Sequence, residues 1–302
     1  MSDHRSGPTE PDDAPRGEGP TRGARRIRWE STDADPAVDV PSPSSTSASA
    51  SAPVDRYDAE TAAAYDEVHA DEDPTEAVAL LASLARDRPA ADRARALEFA
   101  IGTGRVALPL AAVGVDVAGI EYSPAMIARL RAKDGGTAIP VVEGDMVVSR
   151  AEGVFDLVYL VFNTVMNLTS QDAQVACVAN AARHLAPGGR FVVEVIVPDP
   201  PPLGATERNR VFALDDDHVG VDEYVDPVEQ VLISHHWFGG RGGGGTGGAA
   251  HDAASYRYVW PSELDLMARL AGMSLEDRWG DWDRSPFTAA SPFHVSVYRR
   301  AT

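Results

Sequence analysis

The 302-residue sequence contains a single cysteine, Cys177. One thiol cannot form a disulfide within the chain, and it cannot supply the several thiolates of a structural zinc site. Cys177 lies in the segment DAQVACVANAARHL, whose apolar residues recur at helical spacing. We therefore expect a buried thiol on a helix and no metal site.

Long apolar runs are also missing. No stretch of about 18 apolar residues occurs, so the sequence predicts no membrane-spanning helix and no membrane partner. The adjacent arginines Arg25 and Arg26 are not followed by an apolar segment, which argues against a secretory or twin-arginine signal. A soluble, cytoplasmic location is the expectation.

Positive charge is scarce as well. The 27 lysines and arginines stand against 46 aspartates and glutamates, for a formal net charge of −19. Ten of these acids and six arginines fall in residues 1–55, so most of the negative charge belongs to the rest of the chain. A surface this acidic repels a phosphate backbone, and nucleic acid is not expected as a partner.

Large apolar residues are few in the first 54 positions, which are rich in Pro, Ser, Asp and Gly and end in PSPSSTSASASAP. Such a segment cannot bury enough apolar surface to offset the entropy lost on ordering. The sequence predicts a disordered tail over residues 1–54 and one folded domain over residues 55–302.

The central part of the chain alternates apolar strand patterns with helical patterns. Strands are predicted at 96–100, 115–120, 139–142, 155–162 and 190–197, with helices at 105–112, 124–133 and 170–185. Apolar strands separated by helices indicate a doubly wound, Rossmann-like α/β fold with a parallel sheet covered on both faces. In such sheets the ligand binds outside the carboxyl ends of the strands. We expect the glycines of APGGR to end the last of these helices.

The pattern changes after Pro198. The segments RVFALDD, GVDEYVD, EQVLISHHWF and SYRYVW are typical of short antiparallel strands, so a small β cap is predicted at about residues 199–260. The glycine-rich run at 239–250 lies between two of these strand segments. It does not have the flanking strand and helix that a phosphate cradle needs, so it is interpreted as a hairpin loop. A helix in PSELDLMARLAG, with Ser262 as N-cap, and two closing strands complete the domain.

The segment LEFAIGTGR raises the question of the ligand. The residues from Gly102 to Ala107 fit the G-x-G-x-x-G/A pattern of dinucleotide sites. However, Glu98 places an acid inside the preceding strand, which suits a cationic ligand better than a pyrophosphate. Glu121, at the end of the second strand, could bind ribose hydroxyls in either kind of site. Asp145 and the adjacent methionine follow the third strand, where adenine would lie.

The motifs LEFAIGTGR, GIEYSPAM, EGDM, FDLVYLVFN and LAPGGRFVVEV, in this order, resemble those of the class I S-adenosylmethionine-dependent methyltransferases. The resemblance is strong over residues 56–200. It implies a seven-stranded sheet with an antiparallel last strand, a lid helix in YDAETAAAYD, and S-adenosyl-L-methionine as cofactor. One departure is Ala100, where the family has its first glycine. The cofactor-binding residues implied are Tyr57, Tyr65, Glu98, Ala100, Ile101, Gly102, Thr103, Gly104, Glu121, Tyr122, Gly144, Asp145, Met146 and Phe162.

The function implied is methyl transfer to O or N of a small, partly apolar acceptor. Most of the catalysis in such a displacement comes from alignment and exclusion of water. Asn163 and His236 are the candidate catalytic residues, and Trp282 and Phe287 are candidate walls of the acceptor site. His235 and its neighbour His236 point to opposite faces of a strand, so at most one can face the site. The alternatives are an NAD-dependent oxidoreductase and a non-catalytic S-adenosylmethionine-binding protein.

Overall fold

The computed structural model describes residues 57–87, 93–202, 204–214, 218–238 and 250–302. The tail predicted over 1–54 and nearly all of the glycine-rich run at 239–250 lie outside these residues. Within the described ranges, no helix is both long and apolar enough to cross a membrane.

The described residues include six α-helices, eleven strands and two short 3-10 helices, Gly136–Ala138 and Thr164–Asn167. The helices are α1 (Ala59–Val68), α2 (Thr75–Arg86), α3 (Ala107–Ala112), α4 (Pro124–Arg131), α5 (Gln171–His184) and α6 (Pro261–Leu270). The strands are β1 (Arg95–Phe99), β2 (Asp116–Glu121), β3 (Val141–Glu143), β4 (Phe155–Leu160), β5 (Leu185–Ile196), β6 (Asn209–Leu214), β7 (His218–Asp226), β8 (Val231–Phe238), β9 (Ala250–Arg257), β10 (Met273–Trp279) and β11 (Phe293–Arg300).

Seven strands form the main sheet, in the order β10-β11-β5-β4-β1-β2-β3. Strands β1 to β5 pair in parallel, whereas β11 pairs antiparallel with both β5 and β10. This confirms the predicted doubly wound sheet with an antiparallel last strand. The chain reverses its direction of winding at β1, between β2 and β4, which is where such sheets open a ligand crevice.

The sheet is covered on both faces because its side chains alternate. In β4, Val158 and Leu160 pack with helices α5 and α6, whereas Leu157 and Tyr159 pack on the opposite face with α2 and α3. Cys177 is fully buried on α5, as expected, and burial raises the pKa of its thiol. Near-continuous apolar strands are therefore required, as the sequence pattern indicated.

Two predicted helix ends differ from the structure. Helix α5 ends at His184 and β5 begins at once, so the glycines of APGGR lie in a bulge of the strand rather than in a helix cap. A Cβ atom at Gly189 would come within 2.9 Å of the Ala186 carbonyl oxygen, which explains the glycine. Ser262 is not the N-cap of α6: the cap position is Trp260 and Pro261 occupies the first turn, where its missing N–H is harmless.

The predicted cap is a four-stranded antiparallel sheet in the order β6-β7-β8-β9. Its inner face packs on the main α/β unit, since Tyr224 and Leu232 share a buried cluster with Val165 and Met166 of the turn after β4. Arg257, 4% exposed at the end of β9, ties the cap to the helices below. Its guanidinium donates to Gln174 on α5 and, at 2.8 Å, to Glu263 on α6.

The turn after β1 contains three residues in the left-handed region: Ala100 at φ 52°, Gly102 at φ 57° and Gly104 at φ 83°. At Gly104 a Cβ atom would also lie 2.4 Å from the Leu130 Cδ1, so glycine is required there for space as well. Ala100 carries the strain that glycine would avoid.

We expect Ala100→Gly to stabilise the protein. Relief of left-handed strain is worth about 1–2 kcal/mol, and the more flexible unfolded chain removes about 0.4–1 kcal/mol of that gain. The net change should be roughly 0.5–1 kcal/mol in urea unfolding. The matched control is Ala111→Gly in α3, which should destabilise by about 1 kcal/mol. A loss of stability in Ala100→Gly equal to that of the control would contradict the argument.

Arg257→Met should destabilise the protein strongly, because it leaves the half-buried Glu263 carboxylate and the Gln174 amide without their cation. Breaking a buried ion pair in this way costs about 3 kcal/mol, which corresponds to a fall of roughly 6–12 °C in Tm for a domain of this size. The measurement is calorimetry, with the exposed Arg269→Met on α6 as control. A shift no larger than that of the control would show that Arg257 does not anchor the cap.

Candidate functional site

A cleft of about 330 Å³, counting the space open to solvent, lies at the carboxyl ends of β1 and β4. Helix α1, the lid helix, lies at one side through Tyr65. Seven of the residues that the sequence pointed to line this cleft together with four others. The lining residues are Tyr65, Glu98, Ala100, Ile101, Gly102, Thr103, Arg105, Val106, Val161, Phe162 and Thr164.

Glu98 is a buried acid, 3% exposed, at the end of β1. Its Oε2 accepts a hydrogen bond of 3.0 Å from the hydroxyl of Tyr159 on the neighbouring strand. Burial raises the pKa of Glu98 to about 8, against the opposing effects of the Tyr159 hydrogen bond and the Arg105 charge. The cleft therefore contains a carboxyl group whose charge is poorly compensated by the protein.

Glu121 lies at the end of β2 and joins two turns. Its Oε2 accepts from the backbone N–H of Gly102 at 2.7 Å, and its Oε1 accepts from that of Ser123 at 2.8 Å. Tyr122, next in the chain, is 46% exposed and does not line the cleft.

Gly144, Asp145 and Met146 follow β3 at the same edge of the sheet, outside the cleft lining. The N–H of Gly144 donates to the Glu121 carbonyl at 2.8 Å, so this segment is attached directly to the end of β2. Asp145 accepts from the N–H of Val147 at 2.8 Å, and Met146 packs in the core. The three residues thus extend the ligand edge from β1 and β2 to β3.

The lid helix is attached to the turn after β1 by a hydrogen bond and an ion pair, both made by Asp66. Asp66 accepts from the Thr103 hydroxyl at 2.6 Å and from the Nζ of Lys133 at 2.7 Å. Lys133 is the only lysine in the chain, and it also donates to the Thr103 carbonyl at 2.9 Å. The rings of Tyr57 and Tyr65 meet edge to face with their centres 6.1 Å apart, although Tyr57 precedes α1, which begins at Ala59. These contacts hold α1 over the glycine turn.

Arg105 is a cleft residue that the sequence analysis missed. Its guanidinium lies 4.8 Å from the centre of the Phe162 ring and 3.8 Å from the carboxylate of Glu72. The neighbouring Tyr65 has a pKa raised to about 12 by burial, although the positive charge of Arg105 acts in the opposite direction. Arg105 follows Gly104 directly in the sequence, but only the fold shows that its side chain turns back into the cleft.

The end of β4 is held in a strained conformation by Glu194, a second residue that sequence reasoning missed. Phe162 and Asn163 have φ of 60° and 59°, an arrangement that residues with a side chain rarely adopt. The Glu194 carboxylate accepts from the N–H of Phe162 at 2.7 Å and from the indole N–H of Trp282 at 2.8 Å. Burial raises the pKa of Glu194. Strain of this kind persists where the surroundings enforce it, which is common at ligand sites.

The two candidate catalytic residues lie in different surroundings. The Oδ1 of Asn163 accepts from the N–H of Ile196 at 2.7 Å, so this amide braces the strained turn. His236 lies in the cap, outside the cleft lining, with its Nδ1 2.9 Å from the Nε2 of His218. His235 is on the opposite face of β8, 3.4 Å from Glu223, in agreement with the predicted alternation.

The two residues predicted to wall the acceptor site, Trp282 and Phe287, contact different parts of the structure. Trp282 reaches the β4 turn through Glu194, whereas Phe287 packs against His294 with ring centres 5.6 Å apart. In the part of the chain that the structure describes, no group of three or more His, Cys, Asp or Glu side chains is arranged to hold a metal ion.

Comparisons with known proteins agree with this geometry. Residues 96–189 match the family model described as a methyltransferase domain. The CcbJ methyltransferase of Streptomyces caelestis is 37% identical and superposes with a TM-score of 0.64, covering 76% of this chain and 90% of that one. A methyltransferase of Clostridium acetobutylicum, 14% identical with a TM-score of 0.63, shares the fold over 80% of this chain and 98% of its own.

A further relative is the cypemycin N-terminal methyltransferase of a Streptomyces species. It is 29% identical over 246 residues, which are 81% of this chain and 97% of the relative. The glycine turn, the acid at the end of β2 and the seven-stranded sheet with its antiparallel last strand are thus accompanied by similarity over most of the chain. The protein belongs to the class I S-adenosylmethionine-dependent methyltransferases and is a methyltransferase that uses S-adenosylmethionine.

Proposed function

We propose that this methyltransferase acts on an amine nitrogen of a small-molecule or peptide acceptor. The observation that carries the proposal is the set of titratable groups lining the cleft, which among the described residues are Tyr65, Glu98 and Arg105. Tyr65, with a pKa of about 12, holds its proton at neutral pH, and Arg105 is a permanent cation. A hydroxyl acceptor would therefore lack a base once Glu98 is engaged by cofactor.

An amine needs no such base. A fraction of an amine is neutral near physiological pH, and its lone pair can attack a methyl group without prior removal of a proton by the protein. The N–C bond forms as the S–C bond breaks, and the resulting ammonium then releases one proton to water. The name of the cypemycin N-terminal methyltransferase indicates an amine acceptor for that relative, which supports the proposal.

The cleft residues fit S-adenosylmethionine. Glu98 is a buried carboxyl whose partner is a neutral phenol, and a cationic group on a ligand would compensate its charge. We assign the methionine ammonium to Glu98, the methionine carboxylate to Arg105 and the ribose hydroxyls to Glu121. Asp145 and Met146 are assigned to the adenine. When bound, the cofactor supplies an electrophilic methyl group on a sulfonium sulfur.

The other residues of the site would contribute alignment and exclusion of water, which supply most of the rate in a displacement of this kind. The lid helix, fastened by Asp66 to Thr103 and Lys133, covers the methionine end. Phe162 presents its ring to the cleft in the conformation that Glu194 holds. His236 and Asn163 stay candidates for acceptor contacts rather than assigned bases.

The pKa of Glu98 gives a prediction on cofactor binding. In the free protein this carboxyl is mainly protonated below about pH 8, and its ionised form would bind the ligand ammonium. Binding of S-adenosylhomocysteine should therefore release nearly one proton at about pH 6. Its affinity should rise roughly tenfold from about pH 6 to 7 and level off near pH 8.

The measurement is titration calorimetry in buffers of different ionisation enthalpy. Glu98→Gln should bind more weakly and lose both the proton release and the pH dependence. Glu60→Gln, an exposed acid on the lid helix, should retain both. Equal pH profiles in wild type and Glu98→Gln would refute the assignment of Glu98.

The amine acceptor is tested with methyl-labelled S-adenosylmethionine and matched acceptor pairs. Suitable pairs are benzylamine with benzyl alcohol, glucosamine with glucose, and trialanine with N-acetyl-trialanine. Label should enter the amine member of at least one pair and neither oxygen analogue nor the acetylated peptide. Labelling of benzyl alcohol or glucose in preference to the matched amine would overturn the proposal.

A further inference from the structure

The cap contains a buried carboxyl group that the cofactor assignments leave unused. Asp222, midway along β7, is 6% exposed. Its hydrogen-bond partner is the hydroxyl of Ser234, directly opposite on β8. Across the described ranges no cation lies within ion-pair distance of Asp222. Arg210 is directly opposite Asp222 on β6, but its guanidinium forms an ion pair with Asp199 instead. Burial raises the pKa of Asp222 to about 6.

The side chain of Asp222 is on the inner face of the cap. Residues two apart on a strand share a face, and so do residues directly opposite on paired strands. Asp222 thus shares its face with Tyr224 and Leu232, which are buried against the turn after β4. The hydroxyl of Tyr224 also accepts from the N–H of Asp199, just beyond the end of β5, at 3.3 Å. The side chain of Asp222 is therefore on the face of the cap that is turned toward the C-terminal ends of the strands of the main sheet.

Beyond Asp222, the same face continues as a row of polar and aromatic groups, with a second acid, the exposed Asp252, directly opposite His236 on β9. The Ser234 hydroxyl is 3.4 Å from the Nε2 of His236, whose ring stacks on His218 with centres 5.1 Å apart. The ring of Phe212 meets His236 edge to face at 5.3 Å. Burial lowers the pKa of His236, so this imidazole is neutral at physiological pH. Carboxyl groups among aromatic rings form a surface that suits a cation with an apolar body.

We propose that Asp222 binds the acceptor amine in its ammonium form, which the cap holds against the carboxyl edge of the sheet. The bound ammonium then loses one proton to water, and the lone pair of the neutral amine attacks the methyl group. A buried carboxyl with a single neutral partner is unfavourable in a purely structural role, since a buried charge is stabilised by an opposite charge. A ligand cation would supply that charge, and buried acids of this kind are common at functional sites. The inference rests on the proposed amine acceptor and adds a specificity residue to it.

The test compares Asp222→Asn with Glu223→Gln. Both variants remove one negative charge from β7, but Glu223 is on the outer face, opposite Ile233 and near His235. Asp222→Asn should raise KM for the methylated amine at least about tenfold. It should change kcat less than about threefold and leave the Kd of S-adenosylhomocysteine unchanged. Glu223→Gln should match wild type in all three.

A binding measurement makes the test independent of turnover. Wild type loaded with S-adenosylhomocysteine is titrated with benzylammonium and with benzyl alcohol. Wild type should prefer the ammonium at least about tenfold, Asp222→Asn should lose this preference, and Asp222→Glu should keep part of it. Thermal unfolding identifies any variant that fails to fold, and Asp222→Glu then serves as the deciding variant.

The outcomes separate the two proposals. Amine methylation in wild type with Asp222→Asn indistinguishable from Glu223→Gln would overturn the anchor and leave the amine acceptor intact. Methylation of hydroxyls alone would overturn the amine acceptor, and the binding titration would still decide whether Asp222 holds a cation. Absence of ammonium preference in wild type would overturn the anchor whatever the turnover.

Discussion

The carboxylate of Glu121 sets the separation between the turn after β1 and the start of α4, because each of its oxygens accepts one backbone N–H. The conformation of the ligand edge depends on this pair of bonds. Gly102 is held in the left-handed region within a turn that Ala100 and Gly104 complete. Ser123, fixed by the same carboxylate, donates its hydroxyl to the Tyr57 carbonyl at the base of the lid helix. One acid at a strand end thus positions both the floor and the cover of the cleft.

Buried acids recur along this side of the molecule. Glu98 accepts from a phenol, Glu194 from a backbone N–H and an indole, and Asp222 from a hydroxyl. None of these donors carries a full charge, and burial raises the pKa of each acid. The cofactor carries an ammonium and a sulfonium, and the proposed acceptor is an amine. These ligands would supply the compensating positive charges when they bind. The excess of acids in the whole chain is thus matched by an excess of buried acids around the site.

Much of the architecture was predictable because it rests on local periodicity. Apolar strands separated by helices specify a parallel sheet covered on both faces, and the break in that pattern after Pro198 located the cap. The errors arose where a residue's role depends on a distant partner. The glycines near 188 were interpreted as a helix stop, yet they form a bulge forced by the pairing of β5 with β4. Asn163 stays a candidate catalytic residue, and only the fold shows that its amide oxygen also accepts from the N–H of Ile196 at the end of β5.

The same division holds for the site. The sequence by itself determined that a glycine turn, an acid in β1 and an acid ending β2 would meet at one edge, because parallel strands align their carboxyl ends. Only the tertiary structure decided that Arg105 folds back over Phe162, that Glu194 holds the strained turn after β4, and that Asp222 is buried in the cap. The physical reason is that side-chain direction and burial depend on strands and helices far apart in the chain. The spacing of residues along one segment does not indicate which distant strands and helices will pack against it.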